Sequence, residues 1–185
     1  MTVAYHGHTI RRWPQAVSRW WSHPVAPASP LLGNGEHRLL SETCDDGTAR
    51  YVGTEKALYH RADGAQAWRR IAWVDIARVE HSRRTDALTL RGWPGEAPVP
   101  TRLIVQAGSR LPDLARERVT ACQLLVRHVR LDDGTGVLVT ALRESGTDEA
   151  LWSAQVVHRS GGLTGPALSA AIDRAVREIR AEAGC

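Results

Sequence analysis

The chain of 185 residues contains no phenylalanine, one lysine (Lys56) and one methionine (Met1). Its three cysteines, Cys44, Cys122 and Cys185, are widely separated and odd in number, which argues against a disulfide framework and a Cys-x-x-Cys metal site. Buried thiols are expected instead. No apolar run approaches the roughly 18 residues that would cross a bilayer, and "MTVAYHGHTIRRW" lacks the apolar stretch of a signal peptide. These absences predict a cytoplasmic protein. Catalytic signatures are missing as well: Gly-x-Ser-x-Gly, Gly-x-x-x-x-Gly-Lys-Ser/Thr, His-Glu-x-x-His and Gly-x-Gly-x-x-Gly do not occur. No enzyme activity and no cofactor are expected.

With so little lysine, the net charge of +4 rests on arginine. Residues 1–36 carry 3 basic and 1 acidic side chains, residues 37–128 carry 15 and 11, and residues 129–185 carry 6 and 8. Acids are thus interleaved with bases, whereas a nucleic-acid binder gathers its cations on one face or helix. Nucleic acid is not an expected partner. Arginine in place of lysine, with phenylalanine absent, also matches the codon bias of a GC-rich genome.

Residues 1–34 form an amphipathic and Pro-rich segment. Trp13, Val17, Trp20 and Trp21 fit one helical face, and Pro24, Pro27 and Pro30 then impose an extended tether. Trp13, Trp20 and Trp21 at an interface, with Arg11, Arg12 and Arg19 against anionic headgroups, make this segment a candidate membrane or partner contact. Packing back on the chain's own domain is the plainer expectation.

From residue 37 the pattern changes to short strands separated by turns: "HRLLSETC", "ARYVGT", "KALYHR", "AWRRIAW", "IARVEHS", "ALTLRGW" and "TRLIVQAG". An antiparallel meander closing into a barrel or sandwich is expected. The period then becomes helical, with Leu111, Ala115, Val119, Cys122 and Val126 on one stripe, Pro112 in the first turn and Asp113 at the positive end of the dipole. This helix is predicted to end inside "CQLLVRH". Three further strands, "LVRHVRL", "VLVTALRE" and "LWSAQVVH", precede a terminal helix with Leu168, Ile172, Val176 and Ile179 on its apolar face.

"GEHRLLSE" (35–42), "YVGTEKALYHR" (51–61) and "WRRIAWVDIARVE" (68–80) resemble the strands and corner of bacterial pleckstrin-homology-like (PH-like) domains. "LPDLARERVTACQLLVRHV" (111–129) resembles a stretch that follows such domains in uncharacterised actinobacterial proteins. The resemblance implies an α+β protein: a PH-like antiparallel barrel over 35–127 with its following helix, then a C-terminal β-β-β-α extension over 128–185 packed on the core. Domains of this kind bind lipid, peptide or protein partners. The fold does not choose among them.

The histidines, including His6, His8, His60, His81, His128 and His158, are scattered without ligand spacing, so no metal is expected. "DDG" at 45–47 and 132–134 reads as turn chemistry, and His81 with Arg83, Arg84 and Asp86 reads as a solvated hairpin tip. Two arginine doublets, Arg69–Arg70 and Arg83–Arg84, are the candidate binding residues, because guanidinium pairs bidentately with carboxylate or phosphate. Neighbouring residues of a strand point to opposite faces, so each doublet offers one arginine to a given patch. The expected function is a non-enzymatic protein-interaction or scaffold module, with attachment to the inner membrane face through residues 10–21 as the alternative.

Residues 128–183 carry one apolar helical face and run on from the preceding helix without a Gly or Pro linker. Deleting 128–185 is therefore expected to destabilise the remainder, and Ile172→Asp to do likewise by burying an unpaired charge. A 35–127 fragment that melts cooperatively at the full-length temperature would show the two parts to be independent.

Overall fold

A computed structural model describes residues 29–183, apart from 45, 46, 48, 63, 66 and 95–101. The fold is α+β, with ten strands in three antiparallel sheets and two α-helices among these residues. The described chain divides into two compact units, one holding 29–122 with 144–147, the other 123–143 with 148–183.

In the first unit β1 (Arg38–Thr43), β2 (Ala49–Thr54), β3 (Ala57–Ala62) and β4 (Arg69–Ala72) form a four-stranded sheet in chain order. A single 3-10 turn, Trp73–Asp75, makes the corner expected from "IAWVDI" and leads into β5 (Ile76–Ser82). β5, β6 (Ala87–Gly92) and β7 (Arg102–Ile104) form a second, three-stranded sheet. Helix α1 (Leu111–Cys122) follows and packs on β5, the corner and β2. No ladder closes these strands into a barrel among the described residues.

Alternation accounts for the burial. Tyr51, Leu58 and Ile71 turn to one face of the first sheet, and Leu88, Leu90, Leu103 and Val105 are buried from the second. Several polar groups taken inside find partners. The Trp73 indole donates to the Thr54 carbonyl at 2.9 Å and the Trp93 indole to the Val74 carbonyl at 3.0 Å. The Tyr51 hydroxyl and the Cys44 thiol both donate to the carbonyl of Ile104, joining the first sheet to β7. Gly53 lets α1 approach, since a Cβ there would lie 2.5 Å from Leu114 Cδ2. At the start of α1 the Ser109 hydroxyl accepts the Leu111 N–H at 3.0 Å and donates to Glu42, whose carboxylate also accepts the Arg110 N–H at 2.9 Å. An anion at that end suits the helix dipole.

The helix ends at Cys122, inside "CQLLVRH" as expected, and before the last residue assigned to its apolar stripe. Val126 lies in β8 (Gln123–Arg130) and is 46% exposed, not part of the buried helical face. Its coincidence with the stripe comes from "CQLLV", where a continuous apolar run satisfies both periods.

In the second unit β8 pairs with β9 (Gly136–Leu142), and β9 with β10 (Leu151–His158). Helix α2 (Gly165–Glu182) lays Leu168, Ile172, Ala175, Val176 and Ile179 against Val137, Val139, Ala141 and Trp152. The four core positions expected of the terminal helix, Leu168, Ile172, Val176 and Ile179, are all buried. Arg180 stacks over the Trp152 ring at 4.9 Å, and Arg127 pairs with Glu182.

The "DDGTG" turn does more than reverse the chain. Asp133 accepts the Thr135 N–H and hydroxyl, both at 2.9 Å, and the Leu163 N–H at 3.1 Å, fastening the β8–β9 turn to the loop that enters α2. These donors hold the Asp133 carboxyl below its usual range. Gly161 is the residue that permits the closure: a Cβ there would sit 2.1 Å from Asp133 Oδ2 and 2.3 Å from the Asp133 backbone oxygen. Since backbone cannot swing aside, Gly161→Ala should cost about 1–3 kcal/mol. A lowered denaturation midpoint by circular dichroism would register it; an unchanged midpoint would show that the loop relaxes freely.

Candidate functional site

The tightest polar cluster of the first unit gathers around Glu36. "GNGE" (33–36) forms a tight turn, closed by the Glu36 N–H donating to the Gly33 carbonyl at 3.0 Å, with Gly35 in the left-handed region at φ 71°. The turn places the Glu36 carboxylate over the face of the first sheet opposite its main core. One oxygen accepts the Tyr59 hydroxyl at 2.6 Å and faces the Thr54 hydroxyl at 3.4 Å. The other accepts Arg70 Nη2 at 2.7 Å and Nε at 3.3 Å. Tyr59 and Arg70 are register partners on β3 and β4, so both side chains rise on one face and converge.

The two ends of the ion pair differ in their surroundings. The Glu36 side chain is 2% exposed and the Arg70 side chain 41%. Burial by itself would raise the Glu36 carboxyl, but the Tyr59 and Arg70 bonds outweigh it and hold the group below its ordinary value. Tyr59 moves up, through burial and the adjacent carboxylate. The cluster is chemically a carboxylate socket, in which a guanidinium fork and the Tyr59 hydroxyl donate to one anion. The Thr54 hydroxyl beside it has the Ala57 carbonyl as its nearer acceptor at 3.0 Å.

Around the socket lies a small apolar surface. Val52, Ala57 and Tyr59 are buried there, with Leu32 and Trp68 partly buried against them. Arg61 lies over the Trp68 ring at 5.0 Å. At the turn into β3, the Glu55 carboxylate accepts the His37 N–H at 2.8 and 2.9 Å. Thr54 accepts the Lys56 and Ala57 N–H groups at 3.2 and 2.9 Å.

The arginine doublets separate as the strand geometry requires. Arg70 faces Glu36, while Arg69 is exposed on the opposite face, paired in register with His60. His60 stacks on Tyr51 with ring centroids 5.3 Å apart. Burial, reinforced by the Arg69 charge, lowers the His60 pKa and favours the neutral ring. Arg83 and Arg84 are exposed at the turn between β5 and β6, near Asp86 at φ 45°. Arg91 is drawn to Glu80, which Arg78 shares. Trp13, Trp20, Trp21, Arg11, Arg12 and Arg19 lie outside the described residues. Among the described residues, no three His, Cys, Asp or Glu side chains gather as metal ligands.

Sequence reasoning picked Arg70 as an anion partner and missed its anion. Glu36 is 34 residues away, and only the strand register brings the two together. The available signal was the Gly-x-Gly turn immediately before a glutamate, which fixes where that side chain is presented.

No family model, no curated protein and no solved structure matches the chain.

Glu36 and His60 generate a pH dependence with one sign. Both have folded pKa values below their ordinary 4.5 and 6.5. On acidification the unfolded chain therefore takes up each proton first, and stability falls as pH drops below each ordinary value toward the lowered one. Thermal melts should show a loss beginning below about pH 6.5, from His60, and a further one below about pH 4.5, from Glu36. His60→Gln should remove the first component. Glu36→Gln should shrink the second and cost about 1–3 kcal/mol near neutral pH, the lower end reflecting the solvated side of Arg70. An acid profile indifferent to both substitutions would contradict these assignments.

Proposed function

We propose that the chain is a non-catalytic PH-like interaction module that works by presenting surfaces of its first unit to a protein partner. The observation that carries this reading is the element order of that unit: a four-stranded sheet, a tight corner, a three-stranded sheet, then one amphipathic helix packed on strands of both. That order agrees with the PH-like resemblance of residues 35–127. The polar chemistry inside the unit supports the same reading. Glu36 and Glu42 are each engaged in fastening a chain segment, one before β1 and one at the start of α1. The exposed arginines Arg69, Arg83 and Arg84 stand outward, where a partner's carboxylates can reach them.

Site-specific photocrosslinking in the native host tests it. Crosslinkers placed at Arg69 and at Arg84 of the full-length chain should capture a defined protein adduct, reduced by Arg→Glu at the other position. No adduct at either position would count against the reading. So would purified protein turning over a nucleotide, ester or phosphoester at a rate abolished by His60→Ala or Arg70→Ala.

A further inference from the structure

An antiparallel sheet with one face on the core ordinarily turns its other face to water. Here that second face is covered. Val52, Ala57 and Tyr59 are buried on it, and the segment that lies over them is residues 30–36, directly before β1. The covering segment adds no strand: the described ladder of the sheet begins at β1, and the segment's own backbone bond closes its internal Gly33–Glu36 turn. Leu31 is 75% exposed, and Gly33, Asn34 and Gly35 are exposed.

Attachment therefore runs through side chains. Pro30 is buried, Leu32 enters the Val52–Tyr59–Trp68 surface, and four residues later Glu36 enters the socket of Tyr59, Arg70 and Thr54. The side chains that grip the carboxylate all belong to β2, β3 or β4. The one further donor, the Gly33 N–H, lies within the covering segment itself and would travel with it as part of the ligand. Arg70 keeps 41% of its side chain in solvent, which gives an arriving anion an approach.

We propose that this face is a peptide-docking surface, occupied in cis by residues 30–36, for a partner segment bearing an apolar side chain four residues before a carboxylate. The proposal rests on the interaction-module reading and specifies its surface and ligand class. Leu32 and Glu36 act as a built-in ligand. A short tether holds that ligand at an effective concentration of about 1 mM. Occupancy of the face thus requires an intrinsic Kd below about 1 mM, and a partner gains entry only when it binds well beyond that threshold.

The probe is a synthetic peptide of residues 29–37, SPLLGNGEH, titrated into full-length protein and followed by tryptophan indole NMR shifts. Glu36→Gln is close to isosteric and weakens only the tethered ligand's anchor. The peptide should bind this variant saturably, at least tenfold more tightly than it binds the wild-type chain. A peptide with glutamine in place of its glutamate should bind the variant at least tenfold more weakly. Leu32→Ser, which loosens the apolar anchor and leaves the ion pair intact, is the second host if Glu36→Gln does not fold. With either folded host, no binding up to several millimolar, or equal binding of the two peptides, overturns the proposal. Such a result alongside adducts at Arg69 or Arg84 would remove this surface and keep the interaction-module reading; loss of the adducts as well would remove both.

Discussion

A carboxylate almost without access to water is a costly thing to place in a fold, and Glu36 is held there chiefly by Tyr59 and Arg70, with the Gly33 N–H and the Thr54 hydroxyl beside them. Tyr59, Arg70 and Thr54 come from three adjacent strands, so their convergence on one anion depends on the register of the first sheet. A slip of one residue in β3 or β4 would send Tyr59 or Arg70 to the other face and leave the charge unpaired. The interaction thus penalises wrong registers more than it rewards the right one. Its partial exposure at Arg70 limits the gain from the pair itself.

A second carboxylate, Asp133, has the same logic at smaller scale. It fixes the turn between β8 and β9 and reaches across to the Leu163 amide, with Gly161 keeping the path open. Glu42 does likewise for the start of α1. In each case an acid satisfies backbone or side-chain donors that the local chain geometry would leave idle. Arginine usage is similarly local: Arg61 and Arg180 lie over tryptophan rings, and Arg127 answers Glu182. Among the described residues, Arg69, Arg83 and Arg84 by contrast stand exposed.

Strand positions were legible in the sequence because alternation and turn residues agree. "DDG" separates β1 from β2, and Leu88 with Leu90, or Leu103 with Val105, turns inward as period two requires. The terminal helix was legible for the same reason, one apolar stripe on an otherwise polar segment. Two features were not. The end of α1 falls inside "CQLLVRH" as expected, but in "CQLLV" helix and strand patterns coincide, and Val126, counted on the helical stripe, falls on the strand side. The division into separate sheets depends on the sharp corner at Trp73–Asp75, whose consequence for pairing between β4 and β5 no local pattern encodes. The candidate site was half legible. Arg70 could be chosen for its chemistry, whereas Glu36, Tyr59 and Thr54 become neighbours only through long-range register.

All three sheets keep their strands in the order in which the chain supplies them, each pairing being made with the strand just before. Among the described residues, no strand waits for a partner from a distant part of the sequence. During synthesis from the N-terminus, the first sheet can close once β4 has left the ribosome, before the strands of the second sheet have all emerged. The socket for Glu36 closes at the same moment, because Arg70, its last member, lies on β4. Within each sheet, a newly made strand thus waits for its next partner only as long as one connection and one strand take to emerge.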